Sequence, residues 1–394
     1  MEKRPSQTYT LSLLLMNICI AFLGISLVIP VMPTIMNELH ISGTVVGYLV
    51  AAFAFTQLIF SPIAGRMADQ IGRKPMIVIG LFLFAISEVL FGIGNTVEIL
   101  FVSRILGGTS ASFVMPAVTA YIADITSLKT RPKALGYMSA AISTGFIIGP
   151  AIGGFLADFG HRIPFFTAAG LGGFASCLSF ISLREPERNP ENKTGTIQRD
   201  TMKKVFTPLF LIPFVIIFIT SFGLASFESL FSLFVDHKFG FTPRDIAIMI
   251  TGGAIIGAVA QIFLFDRMTI HWGEIRLIRY SLLVSATLVF FMTVVDMYLT
   301  IMIVTFTVFI GFDLLRPAIT NYLSNIAGDE QGFVGGMNSM FTSLGNVFGP
   351  IVGGILFDID LNYPFYFATV IIAFGIFLTI FWEKPKKKVP EHIS

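Results

Sequence analysis

Residues 149–158 read GPAIGGFLAD and residues 349–358 read GPIVGGILFD, the same block met again half a chain later. Two more blocks repeat at nearly the same spacing. PAVTAYIADI at 116–125 is echoed by PAITNYLSNI at 317–326, and IPFFTAA at 163–169 by YPFYFAT at 363–369. Self-similarity at one long period means two related halves. Each copy lies inside a long apolar stretch, so the halves fold in lipid or not at all.

Hydrophobic residues form 54% of the chain and charged residues 13%, half the charge of a soluble domain. Twelve apolar stretches follow one another, from 11–34 to 364–382, each long enough to cross about 30 Å of hydrocarbon as a helix. Six of them per half is an even number, so equivalent spans run the same way across the bilayer. The expected fold is an all-α membrane protein: twelve transmembrane helices in two parallel-duplicated six-helix halves. Residues 1–183 form the first half, 184–208 a polar linker, and 209–394 the second half with a short basic tail. The first span is too long for a signal peptide and lacks a small-x-small cleavage site. Cys19 and Cys177 both fall inside spans, so no disulfide framework is expected. With the N-terminus inside, the inner loops hold nearly all the Lys and Arg; outside stand only Arg162, Lys238 and Arg244, and within spans Arg104 and Arg316. That bias places both termini in the cytoplasm. The partner surface is the lipid bilayer, and nothing points to nucleic acid.

Glycines repeat along one face of span 5 (Gly145, Gly149, Gly153) and of span 11 (Gly345, Gly349, Gly353). Small residues at i, i+4 let helices approach closely, and Pro150 and Pro350 each remove a backbone donor. Two readings fit: static packing, or a contact at which the halves slide or hinge. GRMADQIGRKP at 65–75 joins spans 2 and 3 through Asp69, Gly72, Arg73 and Lys74. Arg73 and Lys74 suit a positive-inside anchor. Asp69 suits a gate, because a carboxylate there could dock on the positive N-terminal end of span 11. The second-half counterpart, DRMTIHWGEIR at 266–276, keeps little of this.

Glu88, Arg104, Glu228, Asp313 and Arg316 are ionisable residues within spans. Each is costly there and requires a partner, water or a function. Asp313 and Arg316 share a face of span 10 at i, i+3. Glu228 has no basic residue within helical reach, which suits a proton carrier, so Glu228 is the expected main proton site with Asp313 coupled to it. Glu88 and Arg104 lie at similar depth on spans 3 and 4; Glu88 is expected to pair with Arg104, while Arg104, beside a Gly-Gly, is expected to line the cavity, where it could tune carboxylates or help relay protons. Phe53 and Gln57 on span 2, with Phe309 one turn before Asp313, could line an aromatic wall for a lipophilic cation. No Gly-Lys pair, HExxH or GxSxG occurs, so neither an ATP-driven pump nor a hydrolase is indicated. No metal or cofactor is expected.

GRMADQIGRKP, the SRILGG segment around Arg104, GFIIGPAIGG and LGISLVIPVMP at 23–33 together resemble the signatures of the major facilitator superfamily, in particular its twelve-helix drug:proton antiporters. SFGLASFESLF, FIGFDLLRPAIT and GYMSAAISTGFIIGP resemble segments of the bacterial multidrug efflux transporters within that group. The resemblance covers essentially the whole chain. It implies a monomer in the bacterial cell membrane that exports dyes, fluoroquinolones and quaternary ammonium compounds by alternating access, driven by proton influx without ATP. It implies coupling carboxylates at Glu228 and Asp313. It also implies a cavity that includes Arg104, Arg316, Phe22, Phe53, Gln57, Phe146, Phe309 and Asn346. Gates are then expected at Asp69, Gly72 and Arg73 and at the span 5 and span 11 motifs, Gly145, Gly149, Pro150 and Gly153 with Gly349, Pro350 and Gly353. The rival reading is a proton-coupled uptake symporter for a small nutrient, whose cavity should be richer in Asn, Gln and paired charge.

Overall fold

The computed structural model describes residues 7–127, 129–186, 207–327 and 331–382. Most of the linker and the basic tail therefore lie outside the described residues. Among the described residues, twelve helices are long and apolar enough to span a bilayer. They are α1 (Gln7–Glu38), α2 (Gly43–Ile71), α3 (Arg73–Ile93), α4 (Val97–Ile125), α5 (Arg131–Ala157), α6 (Ile163–Ser182), α7 (Pro208–Phe239), α8 (Pro243–Trp272), α9 (Glu274–Val294), α10 (Tyr298–Ala327), α11 (Gln331–Ile359) and α12 (Tyr363–Ile380). α1 is broken near Pro30 by a short 3-10 turn at Ile29–Val31. No strand occurs among the described residues.

Local chemistry sets several boundaries. Ser42 caps α2 by accepting from the Val45 amide at 3.4 Å. Thr242 and Asp245 form a capping box at the start of α8. Gly72 (φ 121°) and Gly273 (φ 78°) sit at the two turns that end α2 and α8 and launch α3 and α9. Only a residue without Cβ takes that backbone readily, which is why glycine is kept at both copies of an otherwise diverged turn.

The two halves pack by one plan. In the first, α1 packs on α5 and α6, α3 on α4 and α6, and α2 on α4; in the second, α7 packs on α11 and α12, α9 on α10 and α12, and α8 on α10. Each half has its own apolar core. One runs from Leu14 and Ile18 to Met76, Leu81, Val118 and Tyr121. The other runs from Phe214 and Phe227 to Leu282, Val308 and Phe365. Lipid tails are as apolar as these side chains, so close packing rather than water exclusion holds such cores.

The halves meet along α2 with α11 and along α5 with α8. These contacts gather at the end of the bundle away from the termini. A third cluster there joins Leu27, Val31, Ile35, Met36, Val46 and Leu49 of the first half to Leu233 of the second. Toward the termini the halves part. A Cβ built on Gly65 of α2, Gly136 of α5, or Gly335 and Gly336 of α11 would meet no atom within 4 Å. The molecule is closed at the far end and open at the end that carries its termini.

Candidate functional site: a charged cavity between two glycine-packed halves

The repeated glycine faces are found inside each half, not between halves. A Cβ on Gly145 would stand 2.7 Å from the Cys19 carbonyl, one on Gly149 would be 2.6 Å from that of Leu23, and one on Gly153 would strike the Leu27 carbonyl, all on α1. On α11, Gly345 meets Ser221 at 2.6 Å, Gly349 the Phe222 carbonyl at 2.5 Å, and Gly353 the Ser226 hydroxyl at 2.5 Å, all on α7. The expected sliding contact between halves is thus corrected for these six. The reason is geometric: the second glycine of each pair points elsewhere. Gly154 abuts Ala247 and Pro243 of α8, while Gly354 abuts Gly43 and Gly47 of α2. A Cβ on Gly47 would collide with the Pro350 carbonyl, so Pro350 does lie at the junction of the halves. Adjacent residues of a helix project about 100° apart, so one GG pair serves both seams.

A carboxylate docked on a helix N-terminus is also present, at the end opposite to the one expected. Asp358, which closes the second GPxxGG block, accepts from the Gly43 amide at 2.7 Å and the Thr44 amide at 2.9 Å at the start of α2. Asn37 donates to Asp236 at 2.9 Å beside it. The α11 start on which Asp69 was expected to dock falls partly at 328–330, outside the described residues. What is seen of Asp69 is a bond within its own half. Arg73 donates to it at 2.5 Å and to Asp124 at 3.1 Å, and Glu185 caps the Arg73 and Lys74 amides at 2.5 and 2.9 Å. Sequence reasoning passed over Asp358, Gly47, Gly154 and Gly354. The aspartate ending both repeat blocks was the available signal.

The intramembrane charges fall into two groups. Glu88 is buried, and Arg104 lies 4.0 Å from it with its guanidinium 4.2 Å above the Phe91 ring. Phe91 stacks in turn on Phe165 at 4.8 Å. The expected Glu88–Arg104 pair is therefore formed. Arg104 itself is mostly buried in the α3–α4 seam. A second carboxylate oxygen of Glu88 and two guanidinium nitrogens of Arg104 are buried without hydrogen-bond partners, so this pair is incompletely satisfied.

The second group belongs to α7 and α10. Glu228 is exposed, and Asp313 and Arg316 are both close enough to act on its charge. Asp313 lies against α8, where its carboxylate fills the space that a Cβ on Gly257 would take; Phe309 similarly covers Gly253 and Phe306 covers Gly252. The glycine row 252, 253 and 257 makes room for this face of α10. It is readable in the sequence as a small-xxx-small pattern that was not singled out. Asp313 and Arg316 share a helix face as expected, but no ion pair joins them among the described residues; their interaction acts through space. Phe227, next to Glu228, packs 6.3 Å from Phe309 and 6.1 Å from Phe312. In the first half Phe22 and Phe146 are paired at 5.2 Å, and Phe146 is exposed. Phe53 lies over Gly107, 3.1 Å from where a Cβ would be. Gln57 and Asn346 are half-buried on α2 and α11.

Two helical halves, closed at one end and open at the other, with carboxylates and exposed aromatics on the helices between, have the architecture of a membrane carrier. The chain belongs to the Major Facilitator Superfamily: that family's model matches residues 14–237 and 213–392. It is 69% identical over 385 residues to "Multidrug resistance protein 1" of Bacillus subtilis (strain 168), covering 98% of each chain. It is 51% identical to "Multidrug resistance protein 2" of the same strain, again with 98% of each chain covered. Against "Quinolone resistance protein NorA" of Staphylococcus aureus (strain MRSA252) it is 43% identical, covering 95% of this chain and 97% of that one. Among solved structures, a bacterial homologue of the human lysosomal transporter Spinster matches with a TM-score of 0.80 at 15% identity, covering 96% and 97%. At that identity the match speaks for the fold alone.

Proposed function

We propose that this protein is a multidrug efflux transporter that exports lipophilic, often cationic compounds in exchange for protons. The observation that carries the reading is that two carboxylates within spans, Glu228 on α7 and Asp313 on α10, lie near enough for their charges to interact, in a chain nearly full-length similar to proteins named for multidrug and quinolone resistance. A cationic drug and a proton neutralise the same carboxylates, so each displaces the other. That competition is the differential binding that coupling requires. The positive-inside bias puts the terminus end in the cytoplasm of a bacterial cell, so the state seen is open inward. Drug then enters from the cytoplasm or inner leaflet and meets Phe22, Phe146 and Phe309. Closure of the inner end and release of the Asp358 bonds at the outer end expose it outward. Protons entering from outside discharge it and leave to the cytoplasm. No ATP or cofactor takes part, and one chain is the working unit. The aromatic lining favours this over nutrient uptake.

Everted vesicles carrying the Glu228→Gln protein test the reading. Proton-driven accumulation of a cationic dye should fall more than about tenfold, because a permanently neutral side chain exchanges nothing. Full accumulation by the variant removes Glu228 from the coupling site.

A further inference from the structure

Glu88 is a buried acid to which the exchange of drug for protons assigns no part. It is 3% exposed in the seam between α3 and α4, and the side chain of its partner Arg104 is 14% exposed. The pair is loose. Its nearest atoms stand 4.0 Å apart, beyond hydrogen-bond distance. Oε2 of Glu88 and Nε and Nη2 of Arg104 are buried with no hydrogen-bond partner among the described residues. The neighbouring hydroxyls are committed elsewhere, because Ser87 and Ser103 each donate to the other's carbonyl at 2.9 and 2.8 Å. Desolvation weighs heavily on so loose a contact, and apolar side chains of the same size would hold the seam as well or better. Stability therefore does not explain Glu88.

Arg104 has a packing role of its own. Its guanidinium lies 4.2 Å above the Phe91 ring on α3, and Phe91 stacks at 4.8 Å on Phe165 of α6, so one side chain ties three helices together. That contact brings a charge with it. A guanidinium keeps its proton in any protein setting, so Arg104 is not silenced by losing one. One turn further along α4, the ring of Phe53 lies 3.1 Å from where a Cβ of Gly107 would be, and Phe53 is one of the rings expected along the cavity. Inside a protein a unit charge acts well beyond contact distance. Among Glu88, Arg104, Glu228, Asp313 and Arg316, three are acids and two are bases, so fully ionised they carry one net negative charge. With Glu88 neutral they would carry none.

We propose that Glu88 is a specificity-determining residue in the first half: it cancels the charge that Arg104 brings to the α3–α4 seam and so keeps the membrane interior of the protein attractive to cations. Arg104 supplies the ring contact, and Glu88 removes its electrostatic side effect. Glu88 acts on the drug at a distance, through the charge it cancels. The proposal rests on the export reading, since the cation it selects is the exported one.

Equilibrium binding of tetraphenylphosphonium to the purified full-length protein tests it. Glu88→Gln uncovers the Arg104 charge, and one unit charge at about 15 Å in an effective dielectric of about 20 weakens binding of a monovalent cation about fivefold. Two further variants separate charge from fold. Glu88→Asp keeps the anion and should bind as the unaltered protein does. Glu88→Gln combined with Arg104→Met removes both charges and should recover most of the lost affinity, even though it disturbs the seam more than the single change. A merely structural role predicts the opposite order, with the double variant weakest. Unchanged affinity in Glu88→Gln, or a double variant that binds no better than the single one, overturns the proposal. Failure of the export reading shows elsewhere: the unaltered protein would then fail to accumulate a cationic dye under a proton gradient, whatever the order of the variants.

Discussion

The two halves share a plan and differ in charge. At the turn after α2, Arg73 is buried between Asp69 and Asp124, with Glu185 capping the start of α3. At the equivalent turn after α8, the first residue of α9 is Glu274, and it accepts from Asn321 and Asn325 at 2.5 and 2.7 Å. Asp124 and Asn325 hold the same place in the repeated PAxTxYxxxI block. An ion pair in one half is a charge–amide bond in the other. The neighbouring tyrosines both hold the segment that leaves the last helix of their half. The Tyr121 hydroxyl donates to the Arg184 carbonyl, and Tyr322 packs edge-on against Trp382 at 4.7 Å. The cavity walls invert in the same manner. In the first half the ring of Phe53 on α2 covers Gly107 on α4; in the second the ring of Phe309 on α10 covers Gly253 on α8. Duplication preserved the shapes that let helices touch and left free which partner carries charge or ring. That freedom lets two halves of one shape differ in chemistry: the exposed Glu228 and Arg316 within spans both belong to the second half.

The largest effect of this asymmetry is expected at Gly257. A Leu there would displace the Asp313 carboxylate, since even a Cβ falls on it. Gly257→Leu should abolish proton-driven dye accumulation, a loss of more than about tenfold from overpacking against the coupling site. Gly136→Leu, where a Cβ meets open space, should retain it; equal loss in both would show that bulk rather than the carboxylate matters.

The second contrast is between the turns. Arg73→Gln removes the guanidinium that Asp69 and Asp124 accept from, and breaking such a buried pair costs about 3–5 kcal/mol. Glu274→Gln keeps an amide oxygen for both asparagines and should cost about 1 kcal/mol. Thermal unfolding of the two variants in detergent measures the difference, and equal destabilisation would mean the turns are energetically alike.

A smaller effect is expected at the closed end. Asp358→Asn replaces a charged acceptor of two amides by a neutral one, a change of about 1–2 kcal/mol. That shifts a two-state population by about five- to thirtyfold. Spin labels at positions 42 and 360 should report a larger fraction of separated α2 and α11 ends. An unchanged distance distribution would show that the apolar cluster around Leu233 holds this end alone.

Much of this molecule is legible in its residues. The repeat, the apolar runs and their even count determine twelve spans in two parallel halves, because a helix must satisfy its backbone within itself in lipid. The carboxylates stand out for the same reason: a charge within a span is too costly to be incidental. Spacing alone also placed Asp313 and Arg316 on one face and matched Glu88 to Arg104 by depth. What spacing cannot supply is the neighbour. Gly153 and Gly154 are adjacent glycines in one motif, yet one packs within its half and the other across to α8. Asp69 and Asp358 are both carboxylates near helix ends, yet the observed clasp between halves is made by Asp358. A helix sequence fixes which residues share a face; which helix that face meets depends on how all twelve are arranged about the cavity, and only the tertiary structure decides it.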